Sequence, residues 1–272
     1  MKKALKILAV ALLLAATVVP AQAQRRVIHY LPKYENEPYH FGFLLAYNQM
    51  MYTIKTVEDY QNKVILYDSS LDKLVPFGLG NAQSLTIYNI ETKQTPGFTV
   101  GIVGSKRLGR YFDLRFIPSL SFSDRQLKYD IAVLNNDGNT DMKHLEKAIF
   151  TTFVEFPLNI KYRSKRYNNI GAYVFGGVNP KLDLATQKKN LITYINAQGQ
   201  EVDQIANFVT KRIDLAAEIG VGFDFYNQWF KMGVEVKMSY GLLDIVKNEV
   251  PIYTTPIDQL HNKMFQLSFL FE

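Results

Sequence analysis

The sequence contains no cysteine, a single tryptophan and, after its N-terminal stretch, no long apolar run. The absence of cysteine excludes disulfide bonds and thiolate chemistry. A helix needs about 20 mostly apolar residues to cross a bilayer, so a helical membrane protein is excluded. Zinc-ligand spacings, phosphate-binding loops, EF-hand loops and nucleophile elbows are also missing. We therefore expect no cofactor, no metal site and no catalytic residues.

The N-terminus has the pattern of a secretory signal peptide. Lys2 and Lys3 precede an apolar run from Ile7 to Val19, and Ala21-Gln22-Ala23 is a small-x-small cleavage site. An uncleaved anchor helix is the alternative, although the run is short for one. Removal of residues 1–23 lowers the formal net charge from +6 to +3, because three lysines leave with them. The basic balance is therefore weak evidence for nucleic-acid binding, and we expect no nucleic-acid partner.

The last residues of the chain alternate strictly between two kinds of side chain. Phe265, Leu267 and Phe269 share one parity. Gln266 and Ser268 lie on the other. Period-2 alternation places each parity on one face of a strand, as in a barrel wall between lipid and lumen. A half-buried edge strand of a soluble protein is the alternative.

Seven further segments alternate in a similar way, with apolar residues on one parity. They are Tyr39–Tyr52, Gly97–Lys106, Tyr111–Ser123, Ala148–Arg163, Asn169–Lys181, Ile213–Phe225 and Trp229–Tyr240. Short connections alternate with long ones at 53–96, 124–147, 182–208 and 241–262. Outer-membrane barrels have short periplasmic turns and long extracellular loops. The predicted fold is all-β, an eight-stranded antiparallel transmembrane β-barrel, in which the first strand pairs with the last.

The prediction divides the chain into a signal peptide (1–23), a periplasmic N-terminal segment (24–38) and an outer-membrane β-barrel domain (39–272). Pro118 and Pro157 fall inside predicted strands. Since proline cannot donate to a β-ladder, we expect bulges at both positions. Gln49 also falls on the lipid-facing parity of the first strand.

The parity that would face the lumen collects charged residues. They are Asp113, Arg115, Glu155, Lys161, Asp214, Glu218, Asp224, Lys231, Glu235 and Lys237. An eight-stranded barrel has an interior just wide enough for side chains. Unpaired buried ions cost several kcal/mol, so these charges are expected to pair as a structural cluster. A proton path or a small-ion leak is the alternative.

The predicted periplasmic end is basic. Its cations are Arg25, Arg26, Lys33, Lys106, Arg107, Arg110, Arg163, Lys165 and Arg166. They suit either anchoring to anionic headgroups or docking to a periplasmic partner. With Tyr30 and Tyr34, residues 24–38 are interpreted as an extended docking segment, and a disordered leader is the alternative.

Two histidines could serve a barrel enzyme. His144 near Asp141, or His261 near Asp258, would supply a base beside an acid. Neither pair has a recognisable motif around it, and we expect a protein that is not an enzyme.

Particular strings of the sequence resemble the PorT family. They are Pro38-Tyr39-His40-Phe41-Gly42-Phe43 with Asn48-Gln49-Met50, Asp113-Leu114-Arg115-Phe116-Ile117-Pro118-Ser119-Leu120-Ser121-Phe122, Val154-Glu155-Phe156-Pro157-Leu158, and Asp214-Leu215 with Gly220-Val221-Gly222-Phe223-Asp224. The first string is the one that points to the PorT family in particular, and the later ones are shared with the wider family of eight-stranded barrels.

The resemblance implies an outer-membrane barrel of the type IX secretion pathway, with no catalytic residues. Its partners would be outer-membrane lipid and other secretion-machinery proteins. Because a filled eight-stranded barrel cannot pass a polypeptide, such a protein would act by docking or assembly. The docking surface would be the basic periplasmic rim with residues 24–38, and the extracellular loop 53–96 is the alternative. An adhesin or structural barrel, or a lipid- or peptide-modifying barrel enzyme, is the alternative.

Overall fold

The computed structural model describes residues 28–67, 82–185, 191–195, 201–205, 209–247 and 251–272. The predicted signal peptide and the basic pair Arg25 and Arg26 lie outside these residues. Within the described ranges, no helix has the length and apolar character needed to cross a bilayer.

β-Strands dominate the described residues. They are β1 (Tyr39–Thr56), β2 (Val64–Leu66), β3 (Ala82–Lys93), β4 (Thr95–Arg107), β5 (Phe112–Phe116), β6 (Ser119–Asn135), β7 (Thr140–Glu155), β8 (Leu158–Arg163), β9 (Ile170–Asp183), β10 (Leu191–Ile195), β11 (Glu201–Ile205), β12 (Ile213–Tyr226), β13 (Lys231–Gly241) and β14 (Ile257–Phe271). Short 3₁₀ turns lie at Tyr34–Asn36 and Tyr60–Asn62, and a single helical turn, α1, at Pro251–Thr254.

Twelve of these strands form one antiparallel sheet, and β10 and β11 form a separate hairpin. The strand order is β12-β13-β14-β1-β4-β5-β8-β9-β7-β6-β3-β2, with further pairings of β12 with β9 and of β4 with β6. The first strand lies beside the last, as predicted: Phe43 is opposite Phe271, and Tyr47 is opposite Leu267. All eight predicted segments lie on strands of this sheet.

Two of the predicted strands are interrupted at their prolines. The third segment divides into β5 and β6 around Pro118, and the fourth into β7 and β8 around Pro157. Backbone bonding continues through both interruptions, because Ile102 N donates to Pro118 O at 3.0 Å and Ile117 N donates to Pro157 O at 3.1 Å. The predicted bulges are thus short breaks: β4 pairs with β5 and β6 across the first, and β9 pairs with β7 and β8 across the second.

The prediction of a loop at 124–147 was wrong. β6 continues to Asn135 and β7 begins at Thr140, and their pairing runs without interruption from Ser119↔Glu155 to Leu134↔Thr140. The other long connections also contain structure: β2 and β3 lie in 53–96, β10 and β11 in 182–208, and α1 in 241–262. The end of the sheet that carries these connections is called the loop end below. The opposite end, with short turns at 108–111, 164–169 and 227–230, is the turn end.

The buried faces of the strands differ between the two ends. Near the loop end, inward side chains form an apolar cluster, defined here as Tyr52, Ala82, Leu85, Ile87, Ile90, Leu127, Tyr129, Ile131, Val133, Leu145, Ile245, Val246, Ile252, Tyr253, Ile257 and Leu260. Toward the turn end, the inward face is largely polar and charged. The outward face there carries large exposed hydrophobic residues instead, among them Phe41, Phe43, Ile102, Phe150 and Ile219.

Candidate functional site

The charged residues of the predicted lumen parity all point inward. Asp113, Arg115, Glu155, Lys161, Asp214, Glu218, Asp224, Lys231, Glu235 and Lys237 are each at most 7% exposed. They point inward because strict period-2 alternation puts their apolar neighbours on the outer face of the same strands. With their partners described below they form a buried charge network, the candidate functional site.

The middle of the network contains an arginine that pairs with a glutamate far away in sequence. The guanidinium of Arg115 on β5 donates to Glu235 on β13. Tyr173 Oη donates to the same carboxylate, Glu235 Oε1, at 2.8 Å. The Phe175 ring lies against the Arg115 guanidinium, 4.6 Å from its centroid. The aromatic and ionic contacts together fix the position of this one cation.

A second group surrounds Glu218. Lys237 Nζ donates to Glu218 Oε1 at 3.0 Å, and Asn179 Nδ2 donates to the same oxygen at 2.7 Å. Asn179 Nδ2 also donates to Glu155 Oε2 at 2.9 Å, and Lys181 Nζ lies 3.5 Å from Glu155 Oε1. Asn179 therefore links two ion pairs into one connected group.

A third group lies at the turn end. Lys161 Nζ donates to Asp224 Oδ2 at 2.8 Å, and Lys231 Nζ lies 3.9 Å from the same oxygen. Lys231 also pairs with the carboxylate of Glu272. Asp113, at the same end, pairs with Arg163 at 3.3 Å.

A fourth group borders the apolar cluster. Arg125 Nη2 lies 3.1 Å from Asp183 Oδ2, and the Arg125 guanidinium lies 4.6 Å from the ring centroid of Tyr52. Asn262 Nδ2 donates to Asp214 Oδ2 at 2.7 Å. Asp214 is thus held by an amide, in contrast to the carboxylates with lysine or arginine partners.

Sequence analysis missed several members of this network. Arg125 and Asp183 lie beyond the predicted ends of their strands, in residues assigned to loops. Lys181 and Glu272 are the last residues of predicted segments, where strand ends are least reliable. The same period-2 count, applied to these end residues and continued by two residues to Arg125 and Asp183, would have placed all four on the buried parity.

A small cavity lies among the central residues of the network. It has a volume of about 10 Å³ and lies between Arg115, Asn159, Glu235, Lys237 and Gln266, with two serines and apolar residues completing its wall. That volume is about enough for a single water molecule. A folded or extended polypeptide would need far more room.

The N-terminal segment packs on the turn end of the sheet. The ring of Tyr34 stacks on His40 at 4.0 Å between centroids, and Tyr34 Oη donates to Glu272 Oε2 at 3.4 Å. Lys231 Nζ lies 4.9 Å from the centroid of the same ring. The prediction of an extended segment was wrong here, because Tyr34–Asn36 form a 3₁₀ turn.

Burial and charge act in opposite directions on Glu272 beneath this segment. Burial raises the pKa of its carboxyl, but the attraction of Lys231 and Lys161 outweighs burial and lowers the pKa to about 2. Burial also raises the pKa of the Tyr34 hydroxyl above its ordinary value. Tyr34 is therefore a neutral donor to an ionised carboxylate.

The predicted docking residues divide into two sets. Lys106, Arg110 and Lys165 are exposed at the turn end. Arg107 donates through Nε to Gly109 O at 2.9 Å. Arg166 lies 3.9 Å from the centroid of the Tyr226 ring. Tyr30 N donates to Asn169 Oδ1 at 3.1 Å. Arg107, Arg166, Tyr30 and Tyr34 are thus engaged within the protein, and the exposed cations are what a partner could contact.

Neither histidine forms the His–Asp pair considered for the enzymatic alternative. His144 Nδ1 lies 2.6 Å from Asp130 Oδ1, whereas Asp141 accepts from Asn135 at 3.0 Å. His261 stacks on Tyr240, with 5.8 Å between ring centroids. Asp258 pairs with Lys55 at 2.8 Å. In the part of the chain that the structure describes, no group of three or more His, Cys, Asp or Glu side chains is placed to hold a metal ion.

The chain matches the family model for the outer membrane protein beta-barrel domain over residues 21–247. The chain belongs to this family. Family membership explains why large hydrophobic residues cover the outer face of the sheet while charges are buried within. In a bilayer the outer face meets lipid and not water, so this member of the family is an outer-membrane protein.

Solved structures of outer-membrane proteins resemble the fold at low sequence identity. Neisserial surface protein A has 8% identity and a TM-score of 0.38, with 86% of this chain and 98% of that chain covered. The attachment invasion locus protein Ail of Yersinia pestis has 9% identity and a TM-score of 0.33, with coverages of 86% and 98%. The translocator domain of the autotransporter NalP from Neisseria meningitidis has 10% identity and a TM-score of 0.30, with coverages of 85% and 88%. None of the curated proteins compared with the chain matches its sequence.

Proposed function

We propose that the sheet closes into an eight-stranded transmembrane barrel whose members are β1, β4, β5 with β6, β7 with β8, β9, β12, β13 and β14. The pairing of β9 with β12 supports this closure, with Val174 opposite Val221. The strand order runs from β12 through β1 to β9, so this pairing joins its two ends into a ring. The pairing of β1 with both β14 and β4 supports it as well. In this arrangement β2 and β3, together with the outer parts of β6 and β7, extend beyond the membrane.

The barrel is non-enzymatic and does not conduct polypeptide. The observation that carries this proposal is the buried charge network, which leaves a cavity of only about 10 Å³ among its central residues. Opening a passage would require several ion pairs to separate in a region shielded from water, at a cost of several kcal/mol for each unpaired ion. A role in transport must therefore be exercised from the surface of the barrel.

The resemblance of the sequence to the PorT family suggests the cellular process in which the barrel takes part. The protein serves type IX secretion as a docking or assembly component that lies beside a larger channel, with its turn end in the periplasm. Arg110 and Lys165, exposed at that end, are the contact sites for an acidic surface of another secretion component. The N-terminal segment packs against this end of the barrel, where Tyr34 and Tyr30 form hydrogen bonds with barrel residues.

Deletion of the gene, followed by an assay of exported proteins in the medium, tests the secretion role. Loss of export, restored by the wild-type gene, is the expected result. The double variant Arg110→Glu with Lys165→Glu should fail to restore export at a normal protein level. The matched control, Lys63→Glu with Lys93→Glu, reverses exposed cations elsewhere on the protein and should restore export fully.

Normal export in the deletion strain would instead favour an adhesin or a structural membrane protein. The polar outer face of the β6–β7 extension is the observation behind that second candidate, since Lys128 pairs there with Glu146 at 2.8 Å. An enzymatic role predicts a different result. His144→Ala with His261→Ala would then abolish the cellular function at an unchanged protein level, whereas a docking component tolerates both changes.

A further inference from the structure

An apolar groove lies on the outer face of the barrel at the turn end. It has a volume of about 160 Å³ and is lined by Tyr39, Phe41, Gly104, Ser105, Lys106, Leu114 and Phe116. The groove does not belong to the buried charge network, which occupies the opposite face of the sheet. Its position follows from the registers of β1, β4 and β5.

Two cross-strand rows define the groove. In one row Phe41 and Phe116 flank Gly104, so that two rings border a position without a side chain. In the next row, toward the turn end, Tyr39 and Leu114 flank Lys106. The groove therefore runs along β4, with an apolar floor at Gly104 and an ammonium group at one end.

Lys106 is available to a ligand. Its side chain is exposed, and its Nζ lies 5.8 Å from the centroid of the Tyr39 ring. Among the described residues, no carboxylate pairs with it. The groove thus has a cation beside an aromatic ring at one end and apolar walls along its length. This arrangement is complementary to an amphiphile with an anionic head.

We propose that this groove is a binding site for one anionic phospholipid of the surrounding membrane, with an acyl chain along Gly104 between the two phenylalanine rings and the phosphate at Lys106. This inference rests on the proposed barrel, in which the outer face meets lipid. The acyl chain comes from a lipid of the bilayer and lies parallel to the strand. The lipid phosphates lie at the headgroup level, where aromatic girdles and snorkelling lysines are found. The occupant is a lipid and not a protein segment, because the groove opens onto the outer face, which in the proposed barrel meets hydrocarbon.

Gly104→Leu tests the site by filling the groove. A Cβ at Gly104 would lie 3.5 Å from Phe116 O and 3.9 Å from Phe41 Cε1, which are ordinary contacts, so the variant should fold. The control is Gly176→Leu on β9, an outward position between Ile160 and Ile219, where no lysine lies opposite. Heat-modifiable migration on a gel verifies the folding of both variants.

The measurement is native mass spectrometry of detergent-purified protein mixed with vesicles of phosphatidylglycerol or phosphatidylcholine. The wild type should retain one phosphatidylglycerol in preference to phosphatidylcholine. Gly104→Leu should lose that retention, and Gly176→Leu should keep it. Lys106→Gln should reduce the preference for the anionic lipid by about fivefold, as expected for one interfacial cation.

Equal retention in the wild type and Gly104→Leu, or equal retention of both lipids by the wild type, would overturn the proposal. So would unchanged lipid retention combined with loss of a co-purifying protein from Gly104→Leu, since the occupant would then be a protein. These outcomes are separable from failure of the secretion role, because lipid retention is measured on purified protein and export in cells. If the barrel itself were wrong, the wild type would show no heat-modifiable migration.

Discussion

The two halves of strand β6 bury opposite kinds of residue on the same face. Ser119, Ser121, Ser123 and Arg125 are buried toward the turn end, and Leu127, Tyr129, Ile131 and Val133 are buried on the same parity toward the loop end. The other parity changes in the reverse direction, from Leu120 and Phe122 to Asp124, Lys128 and Asp130. One strand thus follows the pattern of a membrane protein over one half and that of a water-soluble protein over the other.

The difference shows that the surroundings of the outer face decide what is buried. Where the outer face meets hydrocarbon, apolar side chains are favourable outside and polar ones are paired inside. Where it meets water, the hydrophobic effect returns the apolar side chains to the interior. The exchange near Asp124 therefore marks the level at which the protein leaves the membrane.

Gln49 on β1 lies close to the same level. Its side chain is outward, and its Nε2 donates to the hydroxyl of Tyr47 at 3.0 Å. The next outward residues toward the loop end include Thr53 and Lys55, and Lys55 pairs with Asp258. A polar residue on the lipid-facing parity is thus explained by its position at the rim of the apolar band.

The two interiors also differ in how they respond to loss of one side chain. An ion pair in the buried charge network depends on both partners, because removing one leaves a buried charge without compensation. The apolar cluster depends on packing, so its loss is graded with the volume removed. The predictions below compare these responses.

The largest effect is expected for Glu235→Ala in the charge network. This change leaves the buried Arg115 without its carboxylate, and unfolding should become easier by about 3–5 kcal/mol. The double variant Arg115→Met with Glu235→Leu removes both charges and should recover most of that loss. Urea unfolding in detergent micelles measures both free energies, and a double variant as unstable as the single one would show that the charge imbalance is not the cause.

The next largest effect is expected for Leu260→Ala in the apolar cluster. Leu260 is fully buried, and truncation should cost about 3 kcal/mol through lost transfer energy and the remaining cavity. The loss should be local, so that limited proteolysis cuts the loop end while the barrel keeps its heat-modifiable migration. Loss of the gel shift as well would indicate that the two interiors unfold as one unit.

Acid should weaken the turn end through Glu272. Its pKa is lowered from 4.5 to about 2, so the ionised form contributes stability that is complete above pH 4.5 and lost as the pH falls toward 2. The contribution amounts to about 3 kcal/mol. Glu272→Gln should be less stable at neutral pH and should show a flatter profile over this window. An unchanged slope in a series of unfolding measurements between pH 2 and 5 would contradict the assignment.

The smallest effects compare the two outer faces of β6 directly. Leu120→Lys places a charge in the apolar band and should cost about 2 kcal/mol. Lys128→Leu, on the same parity in the water-exposed half, removes one exposed ion pair and should change stability by about 0.5 kcal/mol or less. Equal costs for the two changes, measured by urea unfolding, would place both positions in the same surroundings.

Much of the fold could be predicted because alternation is a local property. Each of the eight segments lies on a strand, and the inward parity carries the ten charges named in advance. The segment 124–147 was misassigned for an identifiable reason. From Leu127 to Val133 the chain alternates with its apolar residues on the inward parity, the reverse of β12, so a template with apolar residues on the lipid-facing parity ended the strand too early.

The sequence by itself determined the strands, the two faces of each strand and the interruptions at Pro118 and Pro157, because backbone geometry and side-chain parity act between neighbouring residues. Only the tertiary structure decided which buried charges meet. Arg115 and Glu235 are 120 positions apart, and only the registers of the strands between them bring the two side chains together. The tertiary structure also decided that Tyr34 covers Glu272, since a segment without alternation contains no local indication of the surface on which it packs.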